Sequence, residues 1–349
     1  MGSRLPRRSP GLLFWAALAA LLGNIPATPT WAADAYHLGH GLDVGPFNVA
    51  GYGNVLFDAP THDKKALVLD DLSLFVSGHI GRFFNPFVEA ELTRFDFLRQ
   101  GGGRRDGDFV LERLYNDVNF NDSWTFRVGK MLAPVGEWNE IHAAPLVLST
   151  VRPAVTYRSF SEYVTGLSVL YSDPFAQFPD VQVYWQPNGE LAERPSDLTV
   201  HQYDTVEGVH VSLPFGLRDK VGASYQHAKN DEGINQSAFG LDFSYRLGDL
   251  ALQGEATVSD IANPAAVNAR DTEWGLYAAA SYALSDKWSV YSWYEAFADR
   301  TKPSLAQDAV VGVSYRLRPE SIFRLEYLQN FDEATVNPTG VFASWSILF

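Results

Sequence analysis

The chain has 349 residues, 46% hydrophobic and 14% aromatic, with a formal net charge of −14. This composition is ordinary for a folded protein, and the acidic balance argues against a nucleic-acid partner, which calls for a basic face. There is no cysteine, which excludes disulfides and thiolate chemistry.

Residues 1–32 read as a secretory signal. Arg4, Arg7 and Arg8 form a basic start, Gly11 to Leu22 is an apolar stretch, and Thr30 and Ala32 supply the small residues of a cleavage site. As a membrane anchor the stretch is too short to span. Its removal takes three arginines and no acid, so −14 becomes −17 in the mature chain 33–349. No later apolar run is long enough for a spanning helix.

From Val44 to Phe349 the chain reads as about 16 alternating strands. They fall at 44–57, 67–79, 84–95, 109–119, 123–131, 162–171, 179–187, 205–213, 218–228, 236–247, 249–259, 272–284, 286–296, 308–317, 319–330 and 339–349. Even-numbered strands are followed by tight turns such as Leu247-Gly248-Asp249, Ser285-Asp286 and Arg318-Pro319. Odd-numbered strands are followed by longer polar connections. Short turns on one side and long loops on the other are the plan of a transmembrane antiparallel β-barrel, which crosses lipid without any apolar helix. An even count puts both ends on the periplasmic side.

The faces support this all-β reading. In 239–247, Phe239, Leu241, Phe243, Tyr245 and Leu247 share one face, while Gly240, Asp242, Ser244 and Arg246 share the other. A soluble sandwich has the same period. Strands of about 10 residues suit a tilted bilayer crossing better than a globular sheet. Aromatics near the short turns (Phe120, Trp124, Tyr245, Tyr282, Trp288, Tyr315, Phe323) form an interfacial girdle. The last strand alternates Val341, Ala343, Trp345, Ile347 and Phe349. It resembles the C-terminal signature of bacterial outer-membrane barrels, which implies that Phe349 is read by the outer-membrane assembly machinery.

The connection 132–161 exceeds normal loop lengths, which marks function. It carries Trp138, Ile141, Leu146, Val147, Leu148 and Val151, side chains that need something to pack on. The lumen is the economical place, with the loop folded inward and narrowing the pore. A long third loop in such a barrel resembles the trimeric bacterial porins. The segment FRVGKMLAPVG (126–136), Arg152-Pro153 and the re-entry strand EYVTGLSVLY (162–171) resemble the phosphate-selective porin family, porins O and P. That resemblance implies a homotrimer, and anion-drawing roles for Lys130, Arg152 and Arg158.

Polar strand faces taken as inward contribute Asp71, Glu89, Glu91, Asp117, Glu162, Asp242, Glu255, Glu273, Glu295, Asp308 and Glu326. Fewer bases oppose them: Arg113, Arg127, Lys220, Arg246, Lys287, Arg316 and Arg324. Low-dielectric walls focus such charges on the pore axis. Glu137 and Glu140 on the loop, facing Arg113, Arg127, Arg316 and Arg324, would set a transverse field at a constriction.

A hydrolase reading is weak. His210 and Ser212 lie two apart and His142 lies in the long loop, but no nucleophile elbow or triad signal accompanies them. No His pair has metal-ligand spacing on a shared face, and there is no Gly-rich phosphate loop, so no cofactor is implied. The expectation is an outer-membrane porin of a Gram-negative bacterium. It gives size- and charge-biased diffusion of small hydrophilic solutes or ions and has outer-membrane lipid around it. The alternatives are a specific channel for phosphate-like anions, small carboxylates or sugars, with Tyr184, Tyr291 and Trp293 as a sugar slide, and a closed barrel serving as an enzyme or a recognition protein.

Overall fold

The computed structural model describes residues 36–195, 202–216, 219–262, 268–332 and 337–349. The proposed signal segment lies outside them. A three-residue strand, β1 (Leu42–Val44), hairpins onto β2 (Phe47–Pro60). The barrel continues through β3 (Ala66–Gly78), β4 (Asn85–Arg99), β5 (Asp106–Asn119), β6 (Trp124–Leu132), β7 (Tyr163–Tyr171), β8 (Asp180–Gln186), β9 (Thr205–Pro214) and β10 (Lys220–Lys229). It is completed by β11 (Asn235–Leu247), β12 (Leu250–Ile261), β13 (Thr272–Ala283), β14 (Trp288–Ala298), β15 (Ala306–Arg318), β16 (Ser321–Asn330) and β17 (Gly340–Leu348).

Each strand pairs antiparallel with the next, and β17 returns to β2 with Leu348 opposite Tyr52 and Gly340 opposite Pro60. Sixteen strands, β2–β17, therefore close on themselves and leave no edge unpaired, the condition for strands in lipid. All sixteen expected strands are present in the expected order. The largest shift is in β4, which runs on to Arg99 where the alternation suggested 95. Among the described residues no helix is long and apolar enough to cross a membrane.

Alternation sorts the side chains as the pattern requires. Phe239, Leu241 and Phe243 are exposed on the outside, whereas Ala238, Gly240 and Asp242 are buried inside. Trp124 meets Tyr171 at 4.9 Å and Trp288 meets Tyr315 at 4.7 Å near the short turns.

Three register shifts interrupt the β2–β5 wall, and two of them place acids on its inner face. Asn54 pairs with Asp71 and Val55 with Leu69, so Asp70 is the extra residue of β3. Glu89 pairs with Arg113 and Ala90 with Leu111, so Glu112 is the extra residue of β5. A bulge sets two consecutive side chains on one face. Asp70 and Asp71 both line the same internal cavity, and so does Glu112, while Arg113 pairs with the inward Glu89.

Candidate pore constriction

Between β6 and β7 the chain runs through a short helix, α1 (Glu137–Glu140), and a 3-10 turn at Ala154–Thr156 before it re-enters the wall. Its base is closed by Ala133 N–H donating to Glu162 O at 2.8 Å. The apolar residues of the segment do find a surface. Trp138, Ala154 and Val155 belong to a buried cluster with Tyr277, Tyr291, Trp293, Phe297 and Leu328, against which Val147, Leu148 and Val151 also pack. Burying side chains of this size stabilises each by about 1.5–3 kcal/mol, which holds the segment against β13–β17.

Polar contacts then fix its register. Glu255 Oε1 accepts the backbone N–H groups of Glu137 at 3.1 Å and Trp138 at 2.8 Å. Glu326 accepts those of Thr150 at 3.1 Å and Val151 at 2.7 Å. Glu295 accepts those of Ala154 at 3.0 Å and Val155 at 2.7 Å. Arg324 does the complementary task, donating to the carbonyls of Leu148 at 3.2 Å and Val147 at 2.5 Å.

On its other side the segment leaves a cavity of about 190 Å³ against β2–β5 and β17. Asp70, Asp71, Glu91 and Glu112 line it from the wall, with His142 and Arg152 from the segment, Arg194 from the connection after β8, and Arg324 from β16. The bases are engaged. Arg152 pairs with Glu162 at 3.2 Å and donates to Thr156 O at 2.7 Å. Arg194 lies 3.3 Å from both Glu112 and Glu162. Among the described residues the acids Asp70, Asp71 and Glu91 have no base in contact: Asn54 donates to Asp70 at 3.1 Å, Thr93 to Asp71 at 3.3 Å and Ser73 to Glu91 at 3.1 Å, and Asp71 and Glu91 hydrogen-bond to each other.

Of the nine residues singled out from the sequence, Arg152 and Arg324 line this cavity. Lys130 is fully buried, 2.6 Å from Glu190 and 3.0 Å from Ala192 O. Arg158 pairs with Asp299 at 3.2 Å. Arg113 pairs with Glu89 and stacks on Phe87, and Arg127 forks onto Asp117 at 2.8 and 2.9 Å and stacks on Tyr115. Arg316 is exposed at a short turn, donating to Pro319 O at 2.9 Å. Glu137 faces Lys220 at 3.3 Å rather than the four arginines expected to oppose it, and Glu140 lies among His210, Lys220, Arg127 and Asp242. Asp70 and Glu112, the extra residues of the two bulges, are out of reach of an alternation count, and they line the cavity beside Asp71 and Glu91.

Burial raises the Glu140 carboxyl above its ordinary range, and burial raises that of Glu190 as well. Burial lowers His142 to about 4, so its ring is neutral at neutral pH. His142 Nδ1 lies 3.0 Å from Asn139 O and Nε2 lies 3.8 Å from Glu112.

Tyr184, Tyr291 and Trp293 do not form a slide. Tyr291 OH donates to Glu326 at 2.8 Å, Trp293 Nε1 donates to Ser149 at 2.9 Å, and Tyr184 is buried beside Val135 and Phe160. No group of three or more His, Asp or Glu among the described residues is arranged to hold a metal ion. His210 has the Pro134 carbonyl as a polar neighbour and sits opposite Ser224 and Gln182 in the sheet.

The closed antiparallel barrel with a lipid-facing apolar belt and a charged interior defines an outer-membrane channel fold. Residues 121–330 match the Gram-negative porin family model, more than half of the chain, and this chain belongs to that family. OmpT of Vibrio cholerae, in a loop-deleted form, is similar in structure at a TM-score of 0.62 and 14% identity, covering 88% of this chain and 100% of that one. An anion-selective porin from Comamonas acidovorans gives 0.61 and 14%, covering 86% and 98%. Salmonella typhi OmpF, in a complex with daunomycin, gives 0.62 and 12%, covering 87% and 97%. In sequence, an uncharacterised protein of Aquifex aeolicus is 29% identical over 126 residues, which is 35% of this chain and only 27% of that relative's length.

Proposed function

We propose that this porin gives passive diffusion of small hydrophilic solutes, with segment 133–162 as its constriction and a bias toward cations. One observation carries the bias. In the cavity beside the segment, the arginines already have anionic or carbonyl partners, while among the described residues Asp70, Asp71 and Glu91 have no basic side chain in contact. Carboxylates left unmatched on a low-dielectric wall favour cations, and the narrow passage makes their field effective.

A phosphate-like anion is the second reading, motivated by the resemblance at 126–136. It has less support, because Lys130, Arg152 and Arg158 are each held by a carboxylate. The same arrangement favours a channel over an enzyme. Cleavage of 1–32, assembly as a homotrimer and recognition of the strand ending in Phe349 complete the proposal, and cross-linking and mass determination of protein purified from membranes test them. Swelling of liposomes in neutral sugars of graded size tests the diffusion reading. Entry that falls with solute size supports it, and no entry of any solute would reject it.

A further inference from the structure

Resting on that porin reading, we infer that Glu255, Glu295 and Glu326 are positioning residues that set the width of the constriction, not its charge. A count of inward acids treats them as part of the field. Their geometry assigns them another task.

Each carboxylate accepts two consecutive backbone N–H groups of the long segment, all at 2.7–3.1 Å. Consecutive amides converging on one carboxylate make a charge-assisted clasp, stronger than neutral hydrogen bonds. The three clasps come from alternate strands, β12, β14 and β16, so they grip the segment at three stations along its course. Arg324 braces the stretch just before the Glu326 clasp through two carbonyls. The glutamates stand on β12, β14 and β16, whereas Asp70, Asp71 and Glu91 stand on β3 and β4, and Trp138 and Thr150 of the segment lie at the cavity between. The clasps hold the segment back from the acidic wall, and the remaining gap is the passage. None of the three glutamates lines the cavity against β2–β5, so the segment stands between their carboxylates and an ion passing there.

The absence of cysteine from the chain gives a direct test. Thr150 Oγ1 and Ser344 Oγ lie 2.8 Å apart, joining the segment to β17 beside the Glu326 clasp. The test uses single-channel recording of the full mature protein. The variant with Glu255→Gln, Glu295→Gln and Glu326→Gln should show lower, flickering current as the freed segment enters the passage, with its reversal potential unchanged. Thr150→Cys with Ser344→Cys in that background should restore steady current when oxidised and lose it again when reduced. A single Glu326→Gln change, leaving two clasps in place, should show the same flicker more weakly if the triple variant does not fold. Steady wild-type conductance in the triple variant with a shift of reversal potential toward anions would overturn the inference, because the glutamates would then be field charges. No channel from the wild-type protein would instead reject the porin reading itself.

Discussion

Gly51 and Phe349 exchange both backbone hydrogen bonds at 2.8 Å, and the Phe349 ring fills the space a side chain at 51 would need. A Cβ at Gly51 would lie 2.8 Å from Phe349 Cε2 and would also clash with the Ser73 carbonyl. The seam where the last strand meets the first therefore depends on a missing side chain. Gly51→Val should destabilise the closed barrel by about 1–3 kcal/mol through overpacking, read as a lower midpoint in urea unfolding. Phe349→Ala should relieve only the ring contact in the double variant, because the Ser73 backbone carbonyl still meets the added side chain. If Gly51→Val is as stable as the wild type, the seam is not packed as described.

Lys130 and Arg316 separate two kinds of basic residue. Lys130 is buried with Glu190, and its removal leaves a carboxylate without its cation. Lys130→Ala should cost about 3–5 kcal/mol. Arg316 is exposed at a turn, and Arg316→Ala should stay within about 0.5 kcal/mol. Equal effects in thermal unfolding would contradict the assignment of burial.

The segment should respond to acid through His142. Burial holds its folded pKa at about 4, below the ordinary value of 6.5. The unfolded chain thus binds the extra proton first, so the stability this residue contributes is full above about 6.5 and is lost as pH falls toward 4. Glu140 acts in the opposite sense: burial raises its pKa, so its contribution is greatest at low pH and is lost as pH rises through its folded pKa. Hydrogen exchange of amides in 137–150, followed from pH 7 to 4, should show protection falling. His142→Asn should flatten that slope, and an unchanged slope would remove His142 from the account.

Salt should tune the bias. The screening length is about 10 Å at 0.1 M and about 3 Å at 1 M. Cation preference should therefore be larger in dilute KCl than in concentrated KCl. Selectivity independent of salt would argue for size alone.

The barrel was legible because lipid enforces a strict rule: every strand must alternate, and Phe239 to Leu247 shows the rule without exception. The long segment was legible from its apolar residues, since Trp138 and Val151 needed a surface. The charge at the passage was legible only in part: alternation names Asp71, Glu91 and Arg324, but Asp70 and Glu112 face inward through bulges, which break the alternation without showing which of two neighbours keeps its face. Arg194 arrives from a connection, and only the folded chain brings it to Glu112 and Glu162. Tyr291 and Trp293 were read correctly as inward, but their partners, Glu326 and Ser149, are far apart in sequence.

The most direct test of the central claim is the reversal potential of single channels in a KCl gradient, for the wild-type protein and for the variant Asp70→Asn, Asp71→Asn, Glu91→Gln. A cation-selective wild type whose potential moves toward zero or to the anion side in the variant is the predicted result. An anion-selective wild type, or a potential that the three changes leave in place, would contradict it.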